Sequence, residues 1–204
     1  AREAAWGWAD LYVLDPTRNP ARIFDGGGVC AGGSPMNRGI LFQPDMVRQI
    51  LAGKKKQTRR MVKAPLSYIV TLPDGTYGDE EGELKPFSCP YGQVADTLTV
   101  REAWRAWKEY DDLPPRDIRG QTLVHFEADG PAPEIFGRYR HARFMPLHMA
   151  RFKLQLTSVR VELPQDISEA DAIEEGFTSR AEFLARFAEI NGTGNPWCWV
   201  LSWA

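Results

Sequence analysis

Residues 151–164, RFKLQLTSVRVELP, alternate polar and apolar side chains over most of the segment. Successive side chains of a β-strand point to opposite faces, so this alternation predicts a long strand with one buried face. Shorter apolar or alternating segments, each predicted to be a strand, lie at 38–42, 58–63, 96–104, 121–128 and 196–203. The chain is therefore expected to be built around a sheet of several short strands and one long one.

Three helices are predicted between these strands. Residues 44–53 place apolar side chains on one helical face and end at Gly53. Residues 167–177 begin at Ser168 as the N-cap and stop at Gly176, and residues 179–190 begin at Ser179. Many short strands with a few peripheral helices predict an α+β fold, most simply a small mixed β-barrel.

The chain divides into an N-terminal stretch and a longer domain. Residues 1–35 are rich in Gly and Pro and have no sustained period, which indicates a tail or extension, with the folded domain starting at Met36. The alternative is that AAWGWADLYVL (residues 4–14) packs as an extra element, because its apolar side chains are costly to leave in water. Within 36–204, turn-rich insertions are expected near 64–92 and 105–145.

The composition limits the classes of function. The chain has 204 residues, three cysteines that form no C-x-x-C pair, and three scattered histidines. These numbers argue against a disulfide framework and a metal site, and they fit a reducing cytoplasm. No apolar run approaches the roughly 20 residues that span a bilayer. No phosphate-binding loop or dinucleotide fingerprint is present, so no cofactor is predicted.

Positive charge is concentrated in one segment. The formal net charge is −2, yet every charged residue between Met46 and Lys63 is basic, as in LAGKKKQTRR (residues 51–60). A nearly neutral protein with one strongly positive segment is typical of a local anion site, not of a broad nucleic-acid surface. This pattern favours a small ligand or a single flipped base.

The same segment carries a family motif. ILAGKKKQTRR (residues 50–60) resembles the G-x-K-x-x-T-x-R motif of ASCH domains, a branch of the PUA-like β-barrel superfamily. Four ordered blocks carry a closer resemblance to ASCH-domain proteins of bacteriophages and prophages: ILFQPDMVRQILAGKKKQTRRMVK, CPYGQVADTLTVREAW, MPLHMARFKLQLTSVRVELPQDISEADAIEEGF and NPWCWVLSW. The four ordered blocks cover about residues 38–203 and leave residues 1–35 outside the resemblance.

The resemblance implies recognition of RNA or of a modified base. One ASCH branch hydrolyses N(4)-acetylcytidine with a lysine, a threonine and a glutamate, which correspond here to Lys55, Thr58 and, through DAIEEG, Glu175. This chain is longer than that branch, and its insertions can reshape the pocket. Two other functions stay open: a non-catalytic module that binds RNA, DNA or a modified base, and a phage accessory protein that contacts a host protein through the insertions.

The residues themselves set conditions on such chemistry. A threonine hydroxyl needs a base within about 3 Å, and a lysine serves as that base only if its pKa falls well below its usual value of about 10.4. Burial and the like charges of Lys54, Lys56, Arg59 and Arg60 are both expected to lower the pKa of Lys55.

Geometry adds a further condition. Positions i and i+3 of a regular strand face opposite ways, so Lys55 and Thr58 meet only if 53–57 form a turn. Gly53 favours such a turn. Thr58 and Arg60 then share a face, with Arg60 placed to hold a carbonyl or phosphate oxygen, while Lys54 and Lys56 face water.

Other candidate ligand contacts each have a structural alternative. Glu175 either orients Lys55 or is a solvated carboxylate paired with a cation. Trp104 is a candidate for stacking on a base with Glu102 beside it, or a core residue. His148 and Arg151 either reach the cleft or hold the local structure.

Overall fold

The computed structural model describes residues 37–63, 69–72, 76–78, 87–118 and 122–204. The expected N-terminal extension at 1–35 and parts of the insertion at 64–92 lie outside these residues. The described strands, in chain order, are β1 (Asn37–Leu41), β2 (Gln57–Met61), β3 (Val70–Thr71), β4 (Tyr77–Gly78), β5 (Thr97–Arg101), β6 (Trp104–Arg105), β7 (His125–Phe126), β8 (Lys153–Glu162) and β9 (Cys198–Trp203).

Five of the strands form one mixed sheet in the order β1-β5-β8-β9-β2. β1 runs parallel to β5, and every other neighbouring pair is antiparallel. The alternating segment 151–164 forms β8, which lies in the middle of the sheet and shifts register against β9 between Leu156 and Ser158. The short strands pair separately, β3 with β4 and β6 with β7.

Three α-helices accompany the sheet: α1 (Pro44–Leu51), α2 (Glu169–Glu174) and α3 (Arg180–Asn191). The predicted caps are present, because the Ser168 hydroxyl accepts a hydrogen bond from the Asp171 amide at 3.0 Å and Ser179 accepts one from the Glu182 amide at 3.2 Å. After α2, Gly176 has φ +90°, and a side chain there would collide with Gln49 of α1. The positive φ favours glycine, whereas a rotation of the Gln49 side chain could relieve the collision. None of the described helices is long and apolar enough to cross a membrane.

The main core lies on one face of the sheet. Its central residues include Ile40, Val47, Leu98, Val100, Leu156, Trp199, Leu201 and Trp203. Trp199 and Trp203 of β9 are 2% and 4% exposed and point to the core face, while Cys198 and Val200 on the opposite face of the strand are buried as well. Tyr77 packs edge-on against Trp199, with ring centroids 4.8 Å apart, so the β3–β4 hairpin covers this end of the core.

The α+β prediction is confirmed, but the sheet does not close into a barrel by backbone pairing among the described strands. Its two edges are β1 and β2. They are linked by a side chain: Nη2 of Arg60 in β2 donates a hydrogen bond to the carbonyl oxygen of Leu41 in β1 at 2.7 Å. The guanidinium also lies 5.1 Å from the ring centroid of Phe42.

The insertion predicted at 105–145 differs from expectation in one element. Of the strand predicted at 121–128, only His125–Phe126 is a strand among the described residues, because a one-turn 3-10 helix, Glu127–Asp129, follows at once. The segment 96–104 likewise divides into β5 and the start of β6. Around the β6–β7 hairpin a second apolar cluster forms, with Trp104, Ala106, Ile118 and Met145 buried at its centre.

Candidate functional site

The chain turns sharply between α1 and β2. Gly53 has φ +68°, and the amides of Lys54 and Lys55 both donate to the carbonyl oxygen of Gln49, at 2.9 and 3.2 Å. A strand cannot make these local hydrogen bonds, so regular pairing begins only at Gln57. The predicted turn is therefore present. Lys54 and Lys56 are exposed, as expected, whereas Lys55 is 2% exposed.

The Lys55 ammonium is bound to Glu175. Its Nζ atom lies 2.8 Å from Oε2 and 2.6 Å from the main-chain oxygen of that residue. Glu175 is the C-cap of α2, and its side chain is 4% exposed. The backbone holds the two segments together nearby, because the Lys56 amide donates to the Glu174 carbonyl oxygen at 2.7 Å. Two residues that are 120 positions apart thus form a buried ion pair.

Burial lowers the pKa of Lys55, since water no longer solvates its ammonium form. The Glu175 carboxylate opposes this effect, and the positive charges of Arg60 and Arg59 reinforce it. The direction matches the sequence prediction, but the contributing cations are the two arginines and not the exposed lysines on either side. A lysine with a lowered pKa can exchange a proton nearer to neutral pH than an ordinary lysine.

Arg59 extends this pair into a network that the sequence reasoning missed. Its Nη1 atom lies 3.3 Å from Oε1 of Glu175, and its Nη2 atom lies 2.9 Å from Oε2 of Glu162 and 3.4 Å from Oδ2 of Asp171. Arg160 contacts both Glu162 and Asp171. One sequence signal could have suggested these contacts. Polar residues alternate at Gln57 and Arg59 in one predicted strand, and at Arg160 and Glu162 in another.

Thr58 lies on the other face of β2. Gln57 and Arg59 direct their side chains toward α2, where Gln57 bonds Asp171 at 3.1 Å. Since strand residues alternate, Thr58 and Arg60 share the opposite face, as the sequence analysis expected. Thr58 pairs with Leu201 in the ladder and is 4% exposed. Among the described contacts, no hydrogen bond joins the Thr58 hydroxyl to Lys55.

A cavity of about 300 Å³ opens beside Lys55. Gly53 and Lys56 contribute to its wall, together with the apolar side chains of Leu51, Phe152, Leu154 and Trp203. An apolar cavity of this size with a few polar groups is the usual form of a small-molecule site. Lys55 is the buried charged residue in this wall, and Thr58 does not line it.

Glu102 and Arg151 bind each other instead of opening into this cavity. Arg151 donates two parallel hydrogen bonds to Glu102, at 2.9 and 2.8 Å, and its Nη1 atom binds Asp129 at 2.7 Å. Its guanidinium also lies 4.2 Å from the Phe126 ring centroid. Burial raises the pKa of Glu102, and Arg151 opposes that rise. The arrangement ties the end of β5 to the start of β8.

The two remaining candidates also lie outside the cavity wall. Trp104 is 0% exposed, so neither ring face is open for stacking on a base, which favours the core alternative. Its Nε1 atom has no hydrogen-bond partner in the described part of the chain. His148 is exposed, in the one-turn 3-10 helix Leu147–Met149.

The described residues contain no group of three or more His, Cys, Asp or Glu side chains arranged to hold a metal ion. Cys89 and Cys198 are buried free thiols. Burial raises the pKa of Cys89 to about 11 and that of Cys198 to about 12, so neither is a reactive thiolate near neutral pH.

Compared with known proteins, the chain matches no family model, no curated protein and no solved structure.

Proposed function

We propose that this chain is a PUA-like ASCH-domain protein of the phage type that hydrolyses an amide on a modified nucleoside or base, with N(4)-acylated cytidine as the substrate class. The observation that carries the proposal is the buried contact between Lys55 and Glu175, 2.8 Å apart, at the wall of a cavity. A cytoplasmic location, in the host cell for a phage protein, belongs to the same proposal.

The proposed chemistry is a transfer of the acyl group to water. A nucleophile adds to the acyl carbon, the C–N bond breaks, the exocyclic nitrogen of cytidine gains a proton, and a carboxylic acid is released. Lys55 accepts the proton of the nucleophile and returns one to the leaving nitrogen, while Glu175 holds the amine in place. Gly53 of the cavity wall is proposed to contact the substrate, whereas Arg60 binds the Leu41 carbonyl oxygen and does not line that wall. General acid–base assistance of this kind contributes about 10²–10⁴-fold to a rate.

The nucleophile is either the Thr58 hydroxyl or a water molecule. If Thr58 attacks, the acyl group is first held as an ester on the threonine oxygen, and a water molecule then hydrolyses that ester, which releases the acid and restores the hydroxyl. The family resemblance assigns the role of nucleophile to Thr58. However, Arg59 and the Lys55 amine both contact Glu175, and Thr58 lies on the opposite face of β2 from Arg59, which favours a water molecule held at the Lys55 amine. Thr58→Val keeps the shape of the side chain and removes the hydroxyl. If Thr58 is the nucleophile this variant loses turnover, and if water attacks directly the variant retains it.

The second candidate is a non-catalytic module that binds a modified nucleoside or a single-stranded nucleic acid. The specific observation in its favour is that the Lys55 ammonium already donates to two oxygens of Glu175, so the amine is engaged in holding the structure and does not need to take part in proton transfer. The exposed lysines at 54 and 56 would then contact phosphate. Binding of that kind weakens steeply as salt increases.

The test is incubation of the full chain with a panel of N(4)-acylated cytidines in water enriched in ¹⁸O. A hydrolase releases cytidine and a carboxylic acid that carries one ¹⁸O atom from the solvent. A binding module gives saturable, salt-dependent binding of the same compounds without any release of acid. Absence of turnover over the panel would contradict the hydrolase, and absence of binding both to the panel and to a single-stranded RNA or DNA oligonucleotide would contradict the binding module.

A further inference from the structure

Arg59 is buried between two groups of acids. Its side chain is 1% exposed, and it contacts Glu175 through one terminal nitrogen and both Glu162 and Asp171 through the other. The Phe183 ring of α3 lies 5.5 Å from its guanidinium carbon. A charged side chain so completely removed from water needs its partners in place.

The Glu175 carboxylate therefore has two cation partners on different oxygens. Oε2 accepts from Lys55 at 2.8 Å, and Oε1 accepts from Arg59 at 3.3 Å. The two partners differ in chemistry, because the ammonium of a lysine can lose its proton whereas a guanidinium stays charged throughout the physiological range. When Lys55 is neutral, Arg59 is the remaining cation in contact with this carboxylate among the described residues.

We propose that Arg59 is a positioning residue that stays bound to Glu175 as a permanent cation, so that Lys55 can release its proton without leaving a buried carboxylate unpaired. Without Arg59, loss of that proton would strand a negative charge inside the protein, which is strongly unfavourable. The proposal rests on the proposed function in giving Lys55 a role in proton transfer. Its test reads the Lys55 amine itself, so it can fail or succeed independently of turnover.

The surroundings of the pair define which other groups act on it. The charged or titratable side chains that face Lys55, Arg59 and Glu175 are Arg60 of β2, Arg160 and Glu162 of β8, Asp171 and Glu174 of α2, and Cys198 of β9. Arg59 and Arg60 both oppose protonation of Lys55, and Glu175 favours it. Removing the charge of Arg59 should consequently make Lys55 hold its proton more tightly.

A purely structural role would look different. Arg59 also ties β2 to Glu162 and Asp171, so most substitutions of Arg59 should lower stability whatever its effect on Lys55. Stability alone does not distinguish the two roles. The protonation midpoint of Lys55 does when it is compared between Arg59→Gln, which removes the charge beside Glu175, and Glu162→Gln, which loosens the contact of Arg59 with β8 but leaves that charge in place.

The experiment is an NMR titration of the full chain labelled with ¹³C in the lysine side chains, with the Lys55 signal assigned from its loss in Lys55→Arg. In the wild type, Lys55 should titrate at lower pH than an ordinary lysine. In Arg59→Gln, the Lys55 midpoint should rise by about one pH unit, a tenfold gain in proton affinity.

Two further variants keep the test decisive. Glu162→Gln removes another partner of Arg59 but keeps the guanidinium beside Glu175, so it should leave the midpoint in place. Arg59→Lys replaces the guanidinium with an ammonium that can itself lose its proton, so its Lys55 midpoint should lie between those of the wild type and Arg59→Gln, which can be read even if Arg59→Gln fails to fold. A Lys55 midpoint that is unchanged or lower in Arg59→Gln, or lower in Arg59→Lys than in the wild type, would overturn the proposal.

Discussion

Lys55 and Glu175 form a salt bridge of 2.8 Å in which both side chains are almost completely buried, at 2% and 4% exposure. Lys55 reaches it from the turn that follows α1, and Glu175 from the end of α2. Glycines with positive φ lie beside both residues, Gly53 at +68° and Gly176 at +90°. The site is thus built where two helices end next to the edge strand β2.

The first prediction concerns removal of the buried carboxylate. Glu175→Gln leaves the buried Lys55 ammonium with neutral partners and removes one of the three carboxylates that contact Arg59, so the free energy of unfolding should fall by about 3–5 kcal/mol. The matched control is Glu174→Gln, an exposed neighbour in α2, which should change it by less than about 0.5 kcal/mol. Urea denaturation of the three proteins measures both values. Equal stability of the two variants would show that the buried pair contributes nothing.

The second prediction concerns pH. Because the pKa of Lys55 is lowered on folding, the folded chain binds fewer protons than the unfolded chain between that lowered pKa and the ordinary value of 10.5. Stability contributed by this residue therefore rises as pH rises through that window and is lost as pH falls through the folded pKa. Lys55→Met has no titrating group at this position. The difference in stability between the wild type and Lys55→Met therefore isolates the contribution of Lys55 from those of the other titrating groups.

In urea denaturation at pH 7 and pH 10, the wild type should gain stability relative to Lys55→Met at the higher pH. A relative loss at pH 10 would mean that the folded state raises the pKa of Lys55, so that Glu175 dominates over burial.

The third prediction concerns the side-chain link between the sheet edges. Arg60→Met removes a charged hydrogen bond to the Leu41 carbonyl and the contact with the Phe42 ring. The free energy of unfolding should fall by about 1–3 kcal/mol. Lys54→Met, an exposed cation near the same turn, is the control and should be close to neutral. If the two variants lose equal stability, Arg60 does not hold the sheet edges together.

The fourth prediction concerns Trp104. As a core residue, Trp104→Ala should lower the free energy of unfolding by about 3–5 kcal/mol. Trp104→Phe should cost less, because the Nε1 atom that it removes has no hydrogen-bond partner in the described structure. Thermal unfolding of both variants tests this. A stable Trp104→Ala variant with weakened ligand binding would instead support stacking on a base.

The local elements were largely predictable from the sequence. Ser168, Asp171 and Gly176 mark α2 because helix caps depend on residues within a few positions of each other. The alternation around Leu154 and Leu156 likewise marks β8. The strand predicted at 121–128 was largely wrong, because the residues after Phe126 form a helical turn. Over so few residues, a pattern of apolar side chains does not distinguish a strand from a helical turn.

Contacts between distant segments were less accessible. The pairing of Lys55 with Glu175 was suggested by family resemblance, since no spacing rule joins residues so far apart. The contact of Arg59 with Glu162 joins residues 103 positions apart, and no pattern in the sequence around either residue predicts it. The alternation of side chains along a strand correctly placed Thr58 and Arg59 on opposite faces of β2. It did not predict which of these faces lies toward the cavity.

The most direct test of the account compares turnover of N(4)-acetylcytidine by the wild type, Lys55→Met, and the two neighbouring variants Lys54→Met and Lys56→Met. All four should fold, as judged by circular dichroism, and the wild type and both neighbouring variants should release cytidine and acetate. Lys55→Met should be slower by about 100-fold or more. Equal rates in Lys55→Met and the wild type, or no release of acetate by any of the four proteins, would contradict the assignment of catalysis to the buried lysine.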